Sequence, residues 1–232
     1  MSKIAIMGAM PEEVAPILEK LGNYKTTEFA GNKYYEATYK GVDVVVAYSK
    51  IGKVFSTLTA ATMIEHFGCD RLLFSGVAGA VSPELKVGDL VVASKLSQHD
   101  LDITAFGHPY GYVPEGAVFV EADKDMIEIS KNVASKMGKT VKEGIIATGD
   151  QFVANEERKN WILETFDASA LEMEGASVAV TCDALGVPFF ILRSISDAAD
   201  MDASFSFDEF LESSAIISAE FVMNMVDELI QN

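Results

Sequence analysis

Three groups of acidic residues stand at the ends of apolar runs in this chain, where a carboxyl group can be drawn into a cavity. Glu12 and Glu13 follow Ile4–Met10 across Pro11, Glu172 and Glu174 flank Met173, and Asp197 ends the run that begins at Phe189. Carboxylates in unlike surroundings divide acid–base work, one holding a proton while another takes one from water. Acidic residues in the first turn of a helix also simply complement its dipole, so spacing alone leaves both readings open at Glu12/Glu13 and Glu172/Glu174. Arg193, inside the apolar stretch Phe189–Ile195, needs an ionic partner, and Glu174 is the candidate. Ser75-Gly76-Val77-Ala78-Gly79 reads as a small-residue turn after a strand. It matches neither GxGxxG nor GxxxxGK[ST]. His99, Asp100 and Asp102 lack the spacing of a metal site, no GxSxG elbow is present, and neither cysteine belongs to a CxxC pair.

In α/β sheets ligands bind beyond the carboxyl ends of strands, so these residues need strands behind them. Lys3–Gly8 is a β-rich run leading through Pro11 into a helix over Glu12–Leu21. Tyr34–Tyr39 and Val42–Tyr48 are strand-like and joined by Lys40-Gly41, a hairpin connection. Apolar spacing predicts helices over Lys53–Phe67, Met126–Met137, Glu156–Phe166, Ala176–Leu185 and Asp208–Ile230. Buried strands are expected at Arg71–Ser75, Leu90–Ala93, Val141–Thr148 and Pro188–Ile195. Between them Gln98–Gly116, rich in proline, glycine and aromatic residues, is a loop long enough to be functional or interfacial. Strands alternating with helices, without repeat or linker, imply one domain over 1–232, a three-layer α/β/α sandwich around a mixed sheet.

Composition narrows the partners. The 232 residues are 49% hydrophobic, and 18 basic against 35 acidic side chains leave a net charge of −17. That charge opposes phosphate backbones and anionic lipid, so no nucleic acid and no membrane is expected as partner. Only Arg71, Arg158 and Arg193 supply guanidinium groups. Cys69 and Cys182, far apart in apolar surroundings, suit a reducing cytoplasm, and Ile4–Met10 is too short for a signal sequence or a membrane span.

Taken together, Gly8-Ala9-Met10-Pro11-Glu12-Glu13, Ser49-Lys50-Ile51-Gly52-Lys53, Ser75-Gly76-Val77-Ala78-Gly79, Thr104-Ala105-Phe106-Gly107, Thr148-Gly149-Asp150-Gln151-Phe152, Glu172-Met173-Glu174-Gly175, Ser194-Ile195-Ser196-Asp197 and Ser206-Phe207-Asp208-Glu209-Phe210 closely resemble the bacterial 5′-methylthioadenosine/S-adenosylhomocysteine nucleosidases. The resemblance implies a phosphorylase/hydrolase-like fold and a homodimer. It also implies hydrolysis of the N-glycosidic bond of methylthioadenosine, S-adenosylhomocysteine and 5′-deoxyadenosine, without cofactor or metal. By it, Asp197 is the acid that protonates adenine N7, oriented by Ser196. Glu13 is the base for water, and Glu174 grips the ribose hydroxyls and steadies an oxocarbenium-like sugar. Phe152 and Val153 would hold adenine, with Ala78, Gly79 and Glu172 also at the substrate. Met10, Ile51, Met173 and Phe207 would line the ribose and alkylthio pocket, Arg193 would hold the water or Glu174, and Phe106 and Pro114 would enter from the partner subunit. Val77 stands where some relatives carry a serine, and Pro11 replaces an acidic residue found in others.

Three rivals share parts of this pattern. A purine nucleoside phosphorylase would break the same bond with phosphate, which a glutamate at position 13 repels. A futalosine-type nucleosidase would recognise base and ribose in nearly the same way. A non-catalytic nucleoside sensor would have no use for all three of Glu13, Glu174 and Asp197.

Overall fold

The computed structural model describes residues 2–200 and 202–231, Phe205 by its backbone alone. Strand β1 (Lys3–Gly8) runs into α1 (Pro11–Leu21), with Pro11 at the first helical position and Glu12 and Glu13 in the first turn. The hairpin β3 (Asn32–Tyr39) and β4 (Val42–Tyr48) forms around Lys40-Gly41, as the two strand-like runs and their connection imply. A further strand, β2 (Lys25–Phe29), is mostly exposed and carries no apolar stripe by which to foresee it. After α2 (Lys53–Glu65), β5 (Arg71–Ala80) continues straight through Ser75–Gly79. The expected turn is therefore a strand. Its backbone groups are taken up by β10 (Phe189–Asp197) in parallel register, Gly76 opposite Arg193 and Gly79 opposite Asp197. Glycine in a strand marks close approach by another group, and here that group is a side chain.

The remaining elements are β6 (Leu90–Gln98), the two-residue β7 (Val120–Glu121), α3 (Lys124–Lys136), β8 (Val141–Thr148), α4 (Glu156–Phe166), β9 (Ala168–Glu172), α5 (Gly175–Leu185) and α6 (Ala203–Gln231). Beyond the order β10-β6-β8-β9-β5-β1-β4-β3-β2, β7 pairs with β6 and β10 pairs with β5. Strands β5, β10, β6, β8 and β9 are thus bridged in a closed ring, with β1, β4, β3 and β2 extending from one side of β5. Both parallel and antiparallel pairs occur, β10 running parallel to β5 and antiparallel to β6. This is the mixed α/β architecture the sequence implies. Helices α1 and α3 pack on α6, and α2 packs on α5. The core is continuous through Ile6, Val45, Leu73, Phe190 and Phe221, all inaccessible to solvent. Among the described residues no helix is long and apolar enough to cross a membrane.

Candidate active site

The carboxyl ends of β1, β5, β9 and β10 converge on a cavity of about 340 Å³ with mostly apolar walls. Glu13 enters from the first turn of α1. Its Oε2 accepts hydrogen bonds from the N–H groups of Ala9 (2.5 Å) and Met10 (3.1 Å), and its Oε1 accepts from Val77 N–H (3.0 Å). At position 77 a backbone group thus meets the carboxylate without help from a side-chain hydroxyl. Glu12, one residue earlier, points to solvent. Burial raises the Glu13 pKa, while the Arg193 guanidinium and the three N–H donors restrain the rise. These donors favour the ionised form.

Asp197 ends β10 just past a register shift between Ile195 and Asp197. Such a bulge re-aims the side chain that follows it. Ser196 Oγ donates to Asp197 Oδ2 at 2.9 Å, and Ala199 N–H donates to Oδ1 at 2.8 Å. Burial lifts the Asp197 carboxyl above the ordinary aspartate range despite both donors. Glycines in β5 leave room for the two acids. A Cβ on Gly76 would lie 2.8 Å from Glu13 Oε1, and one on Gly79 would lie 2.7 Å from Asp197 Oδ1. The two glycines are three residues apart in β5, about 10 Å along the strand.

Glu174 precedes α5, and its Oε1 accepts from Gly52 N–H at 2.8 Å. Its burial and the neighbouring Glu172 push its pKa up to about 8, against the opposing pull of the Gly52 N–H and Arg193. The expected Arg193–Glu174 pair is replaced by another. Arg193 Nη2 lies 2.7 Å from Glu172 Oε2. The Glu172 side chain curls over the start of α5, accepting from Glu174 N–H (3.2 Å) and Gly175 N–H (2.7 Å) and from the Thr148 hydroxyl, and this turns it toward Arg193. Position 174 instead faces Gly52. Arg193 is 1% exposed and stands behind the cavity wall, its guanidinium 4.1 Å from the centre of the Phe74 ring.

The remaining wall residues are mostly the expected ones. Met10, Ile51, Ala78, Gly79, Phe152, Val153, Glu172, Met173, Ser196 and Phe207 line the same cavity as the three acids. Phe152 and Phe207 meet edge to face at 5.8 Å. Ala9, Gln151 and Leu171 also line it, although sequence reasoning gave them no role. Each adjoins a residue that was singled out, and chain adjacency was the available signal. Phe106 and Pro114 do not line this cavity, and Phe106 is 81% exposed. His99 and Asp100 are engaged elsewhere, with Arg158 and Lys53 respectively. Among the described residues no group of three or more His, Cys, Asp or Glu is arranged to hold a metal ion.

The chain is similar to known proteins over almost its whole length. The model of the phosphorylase superfamily matches residues 3–231. The aminodeoxyfutalosine nucleosidase of Campylobacter jejuni is 56% identical over 229 residues, which cover 99% of this chain and all of that protein. A 5′-methylthioadenosine/S-adenosylhomocysteine nucleosidase of an Exiguobacterium species is 41% identical, with 99% of both chains covered. The crystal structure of the Helicobacter pylori nucleosidase of that second name, with butyl-thio-DADMe-Immucillin-A, superimposes with a TM-score of 0.97 at 52% identity, covering 98% of this chain and 99% of that one. The chain therefore belongs to the phosphorylase superfamily and, within it, to the nucleosidases, enzymes that cleave N-glycosidic bonds.

Proposed function

We propose that the protein hydrolyses adenine nucleosides that lack the 5′ hydroxyl, with Asp197 as the acid toward the base and Glu13 as the base toward water. One observation carries this reading: two buried carboxyl groups in unlike hydrogen-bond surroundings, Glu13 and Asp197, enter a single mostly apolar cavity, as an acid and a base must when water attacks between them. Protonation of the purine by Asp197 makes adenine a neutral leaving group. Glu174 lies where it can accept hydrogen bonds from ribose hydroxyls, and a positive sugar in the transition state would draw it into its charged form. Phe152 offers a face for the base, and Val153 the adjoining backbone. Arg193, already paired with Glu172, has no free charge to offer phosphate, which favours water as nucleophile.

Methylthioadenosine, S-adenosylhomocysteine and 5′-deoxyadenosine are substrates by this reading. The greater identity to the Campylobacter enzyme adds aminodeoxyfutalosine to them. The exposed side chains of Ile51, Val54, Leu58 and Phe106 support a homodimer in which Phe106 and Pro114 close the 5′ end of the partner's site. Release of base from each nucleoside by the purified protein, followed by chromatography, tests the substrate range. Adenine from all of them is expected, and its release from none would overturn the reading.

A further inference from the structure

Helix α2 begins without a cap of its own. Its N-cap is Gly52, which has no side chain and stands at φ +100°, and its first turn contains no acidic residue. The missing acceptor comes from elsewhere in the chain: Asp150 Oδ1 accepts from Lys53 N–H at 2.8 Å. Asp150 N–H in turn donates to Asp100 Oδ2 at 2.8 Å, and Asp100 Oδ1 accepts from Lys53 Nζ at 2.7 Å. The three residues close a ring in which each holds the next. Lys53 Nζ also donates to Gln98 Oε1 at 3.2 Å. Burial alone would raise the Asp100 carboxyl, but Lys53 and the Asp150 N–H hold it below the usual range, so Asp100 is a charged two-oxygen acceptor at neutral pH. A Cβ at position 52 would come within 2.9 Å of Asp150 Oδ1, so the contact also needs glycine there.

None of the three side chains lines the cavity, yet each is joined to a segment that does. Gly52, one residue before Lys53, donates its N–H to Glu174. Gln151, Phe152 and Val153 directly follow Asp150 and form the wall assigned to the base. We infer that Lys53, Asp100 and Asp150 are positioning residues whose ring locks the ribose side of the site, at Gly52, to the base side, at Gln151–Val153, and so sets the affinity for nucleoside. The inference rests on the proposed nucleosidase reading of that cavity.

Hydrogen-bond accounting gives the ring a distinctive mutational pattern. Asp150 supplies one acceptor oxygen to a helix N-terminus, which asparagine supplies equally well. Asp100 supplies two oxygens at once, and asparagine would turn an N–H₂ toward Lys53 or toward the Asp150 N–H. With methylthioadenosine as the probe, D150A and D100N should each raise KM by about tenfold, the usual worth of a cap or charge-assisted bond, with kcat changed by less than about threefold. D150N should stay within about twofold of the wild type in both constants. Asp150 is exposed, so D150A carries the test even if D100N fails to fold. Wild-type KM in D150A, or equal impairment in D150N and D150A, would overturn the inference while adenine release by the parent enzyme still stood. No release by the parent would instead defeat the functional reading beneath it.

Discussion

The acids divide by what surrounds each of them. Asp197 is raised by burial and contacted by one hydroxyl and one N–H, whereas Glu13 faces three N–H donors and the nearby Arg193. Asp197→Asn keeps the shape and removes the transferable proton, so kcat should fall by roughly two to four orders of magnitude with nucleoside binding largely kept. Glu13→Gln should be similarly severe and exposed Glu12→Gln mild. Steady-state kinetics of the three variants check this, and the reverse ranking of Glu12 and Glu13 would move the base by one residue. Glu174 gives a second kind of test. Its folded pKa, about 8, lies above the ordinary glutamate value, so its contribution to stability is complete below about pH 4.5 and is lost as pH rises toward 8. Glu174→Gln removes that loss, on the order of a few kcal/mol at most. The variant's gain in melting temperature should therefore grow between pH 5 and pH 8, and a constant difference across that range would contradict the assignment.

At the level of elements, much was legible because apolar periodicity and stop signals agreed. The helix bounds at α1 and α4 and the β3–β4 hairpin illustrate this. What failed did so for physical reasons. The run Ser75–Gly79 carries turn-like small residues, yet their smallness serves the carboxylates of Glu13 and Asp197, which occupy the space where side chains would stand. Likewise, the partner of Arg193 depends on how Glu172 curls over the start of α5, a local backbone event that the spacing Glu172-Met173-Glu174 does not encode. The carboxyl groups themselves were visible, since acidic residues beside apolar strand ends are uncommon without a purpose. Neither Gly76 nor Gly79 has a positive φ, so alanine at either strains no backbone. Gly79→Ala should nevertheless displace the Asp197 carboxyl and lower kcat at least tenfold while the melting temperature changes little. Full activity in that variant would show that β5 does not shape the acid's position.

For the molecule as a whole, a charge of −17 keeps chains apart unless apolar surface brings them together. Such surface exists: Val54 on α2 is 75% exposed, and Phe106 protrudes from the Gln98–Gly116 segment. A dimer of about twice 25.1 kDa is expected by light scattering. Phe106→Ala should raise KM more for methylthioadenosine than for adenosine, because only the former places an apolar group at the partner's loop. A fully active monomer would contradict this.

The most direct measurement follows oxygen. Turnover of methylthioadenosine in ¹⁸O-water with phosphate present, read by mass spectrometry of the sugar, should give a free thioribose carrying one ¹⁸O atom. An unlabelled thioribose phosphate would show that phosphate is the nucleophile and that Glu13 does not activate water.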